Sequence, residues 1–111
     1  MTVHPDVTQV DAVAAELLGE ARTHDARRAA RTLVTGTAQR ATLIALADGA
    51  ELAEHDSPPA ATLYVVMGRV RLHTHDQSWT LEGGQLVRIP PQRHGLTALA
   101  DSAVLLTVAL H

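Results

Sequence analysis

The sequence predicts an all-β domain, an antiparallel barrel or sandwich preceded by one α-helix. Three observations carry that expectation. Apolar residues recur at helical spacing only near the N-terminus, and from Arg31 onward the period shortens to two. The later apolar runs are short and evenly spaced, with Gly, Pro or Asp between them. Antiparallel strands are joined by tight turns of that composition, whereas parallel strands need long crossovers.

Val10, Val13, Ala14, Leu17, Leu18 and Ala21 fall at i, i+3, i+4, i+7, i+8 and i+11. That is one face of an amphipathic helix near residues 8–22. Thr8 is the expected N-cap, with Asp11 at the third helical position as its capping-box partner. Thr23, His24 and Asp25 are the expected exit. The run Arg27-Arg28-Ala29-Ala30-Arg31 is either a last helical turn or the lead into a strand. The expected division is a helical segment over 1–30 and a β-barrel over 31–111, one domain in all.

Residues 32–35 and 40–47 read as strands around the Gly36 turn. Glu51–His55 is the third, ended by Ser57-Pro58-Pro59 because proline cannot donate to a ladder. Residues 62–67 are rich in β-formers, and Gly68 breaks them. Residues 69–74 alternate Arg with apolar side chains, the mark of a half-buried strand. A turn at His75-Asp76-Gln77 leads to a strand over 79–81, and Gly83-Gly84 turns again. Residues 85–89 end at Pro90-Pro91, and 95–99 with 103–110 close the domain around Asp101-Ser102.

Composition bounds the partners. At 111 residues the chain is long enough for one domain with a buried core. The 46% hydrophobic fraction contains no Phe, one Tyr and one Trp. Small aliphatic side chains gain little each when burial is worth roughly 25 cal/mol per Å², so a homodimer that covers more apolar surface is expected. The net charge is −3, and every basic side chain is Arg. No basic face interleaved with aromatics is present, so no nucleic-acid partner is expected. The absence of Cys excludes disulfides, thiolate metal sites and cysteine nucleophiles. Asp6 and Asp11 stand where a signal peptide would be basic and then apolar. The longest apolar stretch, 104–110, is far short of the roughly 20 residues that span a bilayer. A soluble cytoplasmic protein with no membrane partner is the expectation.

Two glycine-anchored blocks carry the functional signal. Gly49 is followed after five residues by His55, and Gly68 closes that segment; Gly84 is followed after five residues by Pro90, with His94 beyond. A strand-turn-strand stretch separates them. The pattern resembles the two sequence motifs of the cupin superfamily and covers about residues 40–110. The resemblance implies an antiparallel jelly-roll barrel with the one N-terminal helix, a small single-domain cupin, commonly dimeric at this size. In the family's first motif a second His follows the first after one residue, then a Glu; here Ser57 and Ala61 hold those positions. In the second motif Gln92 replaces a Gly, and His94 falls one residue early.

The family's metal-binding members hold iron, manganese, nickel or zinc on several imidazoles and a carboxylate aimed at one spot. A catalytic metal generally needs about three protein ligands beside its open position. His55 and His94 supply two, so the resemblance implies a degenerate site with a divalent transition metal held weakly or not at all. By strand parity Ala61, Leu63 and Val65 share a face and make the wall apolar. The expected ligand contacts are His55, Ser57, Leu63, Val65 and His94.

The remaining polar groups read as structure. His73 and His75 have ligand spacing, two apart, but sit at an expected solvated hairpin tip. Arg27, Arg28 and Arg31 read as a solvated helix end, and Arg88 and Arg93 as surface charges flanking the Pro90-Pro91 corner. No G-x-S-x-G elbow supports Ser57 as a nucleophile. Tyr64 and Trp79 suit strand packing or a dimer contact. The expected function is binding of a small, partly apolar ligand in the barrel with His55 and His94 as polar anchors. The alternatives are a metal-dependent dioxygenase or isomerase using His55, His94 and water, and a structural partner without a working pocket.

Overall fold

A computed structural model describes residues 4–56 and 60–110, and among them are helix α1 (Val10–Thr23) and nine strands. The strands are β1 (Arg28–Thr35), β2 (Gln39–Leu46), β3 (Glu51–His55), β4 (Ala61–Met67) and β5 (Arg69–His73), then β6 (Ser78–Glu82), β7 (Leu86–Arg88), β8 (His94–Ala98) and β9 (Ser102–Ala109). They form a five-stranded sheet in the order β1-β2-β9-β4-β7 and a four-stranded sheet in the order β3-β8-β5-β6. Every pairing is antiparallel. The two sheets face each other as a jelly-roll barrel, and α1 lies on the outside of the larger one. Among the described residues no helix is long and apolar enough to cross a membrane.

Strand alternation builds two cores from one sheet. In β2, Ile44 and Leu46 point between the sheets, while Leu43 and Ala45 point to the helix. β9 repeats the division, with Val104 inside and Ala103 outside. The helix answers with Ala14, Leu17, Leu18 and Ala21, all buried, while Val10 and Val13 pack partly buried beside them. Burying Leu17 and Leu18 is worth about 1.5–3 kcal/mol each. That outweighs the roughly 1 kcal/mol that Gly19 costs the helix interior. Tertiary packing, not propensity, holds this helix.

The helix ends differ in part from expectation. Gln9, not Thr8, is the N-cap, and no side chain bonds there. The helix therefore starts one residue later than a Thr8 cap would set it, with Asp11 in the first turn, where a negative charge suits the helix dipole. At the exit the His24 amide donates to the Ala21 carbonyl, and the Thr23 hydroxyl donates to the Glu20 carbonyl. Arg27 has φ of 61°, which turns the chain sharply into β1. Of the two readings of the Arg27–Arg31 region, the strand is correct: β1 starts at Arg28 and pairs with β2 along its length.

Asp101 ties the helix to the barrel. Its carboxylate accepts from the Asp48 amide at 2.8 Å and from Arg22 Nη2 at 2.8 Å. The Asp48 amide first, and then the Arg22 guanidinium, hold the Asp101 carboxyl below its ordinary range. A carboxylate whose folded pKa is depressed stabilises the fold above its unfolded pKa, about 3.9 for Asp. That contribution is lost as the pH falls through the folded value. Asp101→Asn is therefore expected to lower stability at pH 7 in urea denaturation, with the gap to the parent protein closing as the pH drops below about 4. A gap that stays constant into acid would show that the charge contributes nothing.

Candidate functional site

A β-bulge aims the first histidine. In β3, Leu52 pairs with Leu96 and His55 with His94, so three steps on β3 oppose two on β8. In a regular strand Glu54, not His55, would share the face of Leu52. The extra residue rotates His55 onto that face, a common use of bulges beside sites. Leu52 and His55 accordingly line the same cavity.

The position of the second histidine has an equally local reason. His94 and Leu96 point into the barrel, which leaves Gly95 facing out. A side chain at 95 would meet His73 Cε1 at 2.7 Å and the Leu52 carbonyl at 2.9 Å. No histidine fits at the position the family pattern indicates. One residue earlier, His94 stands directly across from His55, with ring centroids 4.7 Å apart in an edge-to-face arrangement. His94 is 5% exposed, and His55 is open to solvent at the cavity mouth.

Both rings are held by the backbone two residues before them. His55 Nδ1 lies 2.9 Å from the Ala53 carbonyl, and His94 Nδ1 lies 3.0 Å from the Gln92 carbonyl. A carbonyl oxygen only accepts, so Nδ1 carries the proton on each ring. Arg93 braces the same corner, its Nη2 donating to the Glu54 carbonyl at 2.9 Å.

The cavity holds about 330 Å³. Leu52, His55 and Asp56 come from the β3 side, and Leu72, His94 and Leu96 from the rest of the smaller sheet. Ile44, Leu63, Leu106 and Val108 come from the larger sheet, with Ile89 beyond β7. Of the sequence-predicted contacts, the structure brings His55, His94 and Leu63 together here. Val65 lies further along the same face of β4, fully buried in the core and off the cavity wall. Two residues of strand carry it past the cavity towards Gly68. Ser57 lies outside the described residues. Ala61 is buried on the inner face of β4, paired with the cavity residue Val108.

Sequence reasoning missed most of the wall. Ile44, Leu106 and Val108 share the inward parity of β2 and β9, a signal open to anyone who assigns those strands. Asp56 at the rim follows the bulged strand and has no such signal; it faces Arg93 Nη1 at 3.5 Å with its side chain 92% exposed. His73 and His75 do not act together. β5 ends at His73, whose Nε2 lies 3.4 Å from Thr97 Oγ1, while His75 stands in the exposed turn. Tyr64 is on the outer face of β4, and Trp79 is partly exposed on β6.

The fit to a metal ion is incomplete. Two imidazoles with Nε2 free of the backbone suit a borderline metal, but a catalytic ion generally takes about three protein ligands. Among the described residues no three His, Asp or Glu side chains are grouped to hold one. Ala61 offers only a methyl group at the position where the motif it resembles has a carboxylate.

No known protein-family profile matches the sequence, and no curated protein matches it. Solved structures do match. A conserved protein of unknown function from Streptococcus pyogenes superposes with a TM-score of 0.76 at 23% identity, over 97% of this chain and 90% of that one. A cupin-2 domain protein from Shewanella frigidimarina gives 0.73 at 16% identity, over 94% and 95% of the two chains. A cupin superfamily protein from Desulfitobacterium hafniense gives 0.70 at 15% identity, over 76% and 78%. Identities this low speak to architecture, and the architecture is consistent across the three. The chain is a small protein of the cupin fold.

Proposed function

We propose that the protein binds a small, largely apolar molecule inside the barrel, with His55 and His94 as its polar anchors, and that its metal site is degenerate. The observation that carries this reading is the cavity itself. About 330 Å³ of space walled by aliphatic side chains, with two imidazoles converging at one end, matches the general make-up of small-molecule pockets. It sits near the low end of their usual range of about 300–1,000 Å³, which argues for a small ligand. A barrel filled by its own Leu and Val side chains, as a purely structural role would have it, lacks such a space.

Fluorescence of a neutral apolar dye, N-phenyl-1-naphthylamine, tests the reading. The dye is expected to brighten on binding the parent protein, and Leu106→Trp, which fills the cavity, is expected to abolish the effect. No brightening, or brightening unchanged by Leu106→Trp, would contradict it.

The proposal includes a homodimer. On the outer face of the larger sheet Tyr64 pairs across strands with Leu86 and Leu105. Tyr64 is 39% exposed and Leu86 65% exposed, beyond the area that α1 covers. Sedimentation equilibrium at micromolar concentration is expected to show a dimer that Leu86→Glu weakens. A monomer at that concentration would overturn this part.

A further inference from the structure

We infer that the cavity selects ligands that donate a hydrogen bond, an apolar molecule bearing a hydroxyl group, over those that only accept one. The inference rests on the binding role proposed above and adds the polarity of the ligand.

Ala53 O and Gln92 O can only accept, so each fixes the ring proton on the Nδ1 it faces. The bond made by one ring nitrogen sets the state of the other. In the neutral imidazole, Nε2 is then a bare lone pair on both rings. These two acceptors belong to residues that face each other across β3 and β8, with centroids 4.7 Å apart.

The rest of the described wall offers no side-chain donor to oppose them. Asp56 contributes a carboxylate, which also only accepts, and the other lining side chains are aliphatic. Arg93, at the rim, is turned to the Glu54 carbonyl and to Asp56. It balances the Asp56 charge at the rim, so a net attraction for cations is not what the cavity presents. A ligand carboxylate or ether oxygen buried here would face other acceptors and lose its water without replacement. A ligand hydroxyl replaces its water with an imidazole Nε2. Buried polar groups discriminate chiefly through the cost of leaving one unpaired.

Three matched probes test this by calorimetry at pH 8: 4-ethylphenol, its methyl ether 4-ethylanisole, and 4-ethylbenzoate. The phenol is expected to bind about tenfold more tightly than either of the others, the effect of one net hydrogen bond. The preference is expected to fall in at least one of His55→Leu and His94→Leu and to vanish when both are combined. His55 is at the exposed mouth, so its variant keeps the test alive if burial makes His94→Leu fold poorly. An ether or carboxylate that binds as tightly as the phenol would overturn the inference while leaving the binding role standing. So would a phenol preference that survives every variant that folds. If none of the three probes binds, the binding role fails, and this inference fails with it.

Discussion

Gly68→Ala is expected to leave little folded protein at 25 °C. Gly68 joins β4 of the larger sheet to β5 of the smaller one, and its φ is +90°. A non-glycine residue in such a conformation costs on the order of 1–3 kcal/mol by itself. The added Cβ would also overlap Ser102 Oγ and the Asp101 carbonyl, and would meet Ser102 Cα at 2.6 Å. None of these can give way cheaply. Ser102 is fully buried, its hydroxyl accepting from the Arg69 amide at 3.0 Å and donating to the Ala100 carbonyl at 2.8 Å. A combined loss above roughly 4 kcal/mol is in the range reserved for severe strain. A domain typically has only about 5–15 kcal/mol in total. Gly49 and Gly84 supply the control, because they have φ of +86° and +92° but open space where the Cβ would go. Their alanine variants are expected to lose only the conformational part. Urea denaturation followed by Trp79 fluorescence separates the cases. Equal losses at all three glycines would contradict the packing described at the sheet junction.

Ala61→Glu is expected to create metal binding far tighter than that of the parent protein. Ala61 sits on the inner face of β4, between the cavity residues Val108, opposite it, and Leu63. Its carbonyl accepts from the Ile89 amide at 2.9 Å, which fixes the strand at that point. A Glu there adds a third ligand to His55 and His94 and meets the usual requirement for a protein-held transition metal. Even groups that touch a metal only through its ligands change affinity by about 10–100-fold, so a direct ligand should gain at least as much. The carboxylate pays for its burial only when the ion is present, so the apo variant is expected to be less stable than the parent, and zinc or nickel should reverse the loss. Titration with zinc, followed by thermal unfolding, reads both effects. An unchanged affinity would show that Ala61 does not face the two histidines.

The fold was largely legible because periodicity and turn residues are local. Glu51–His55 has the bounds its flanking residues imply, and the other strands differ by a few residues at their ends. The largest shortfall is β1, which starts at Arg28 where the sequence reading begins the strand at Thr32, because an Arg-Ala-Ala-Arg run shows no apolar alternation. The pairing of that edge strand with β2 decides it, and pairing is not visible along one strand. The site was legible only in outline. His55 and His94 could be named from glycine spacing, but their meeting depends on a bulge between Leu52 and His55 that no residue type announces. The exclusion of any side chain at 95 likewise depends on His73 and Leu52, which are distant in sequence. Val65 was misplaced on the cavity wall because parity gives the face and not the depth.

The central claim is that two histidines anchor a small-molecule cavity without completing a metal centre. Elemental analysis of untagged protein, purified without chelator and dialysed, tests it most directly. The account predicts well under one equivalent of any transition metal per chain. A full equivalent that survives dialysis would contradict it, and would require a third ligand close to His55 and His94.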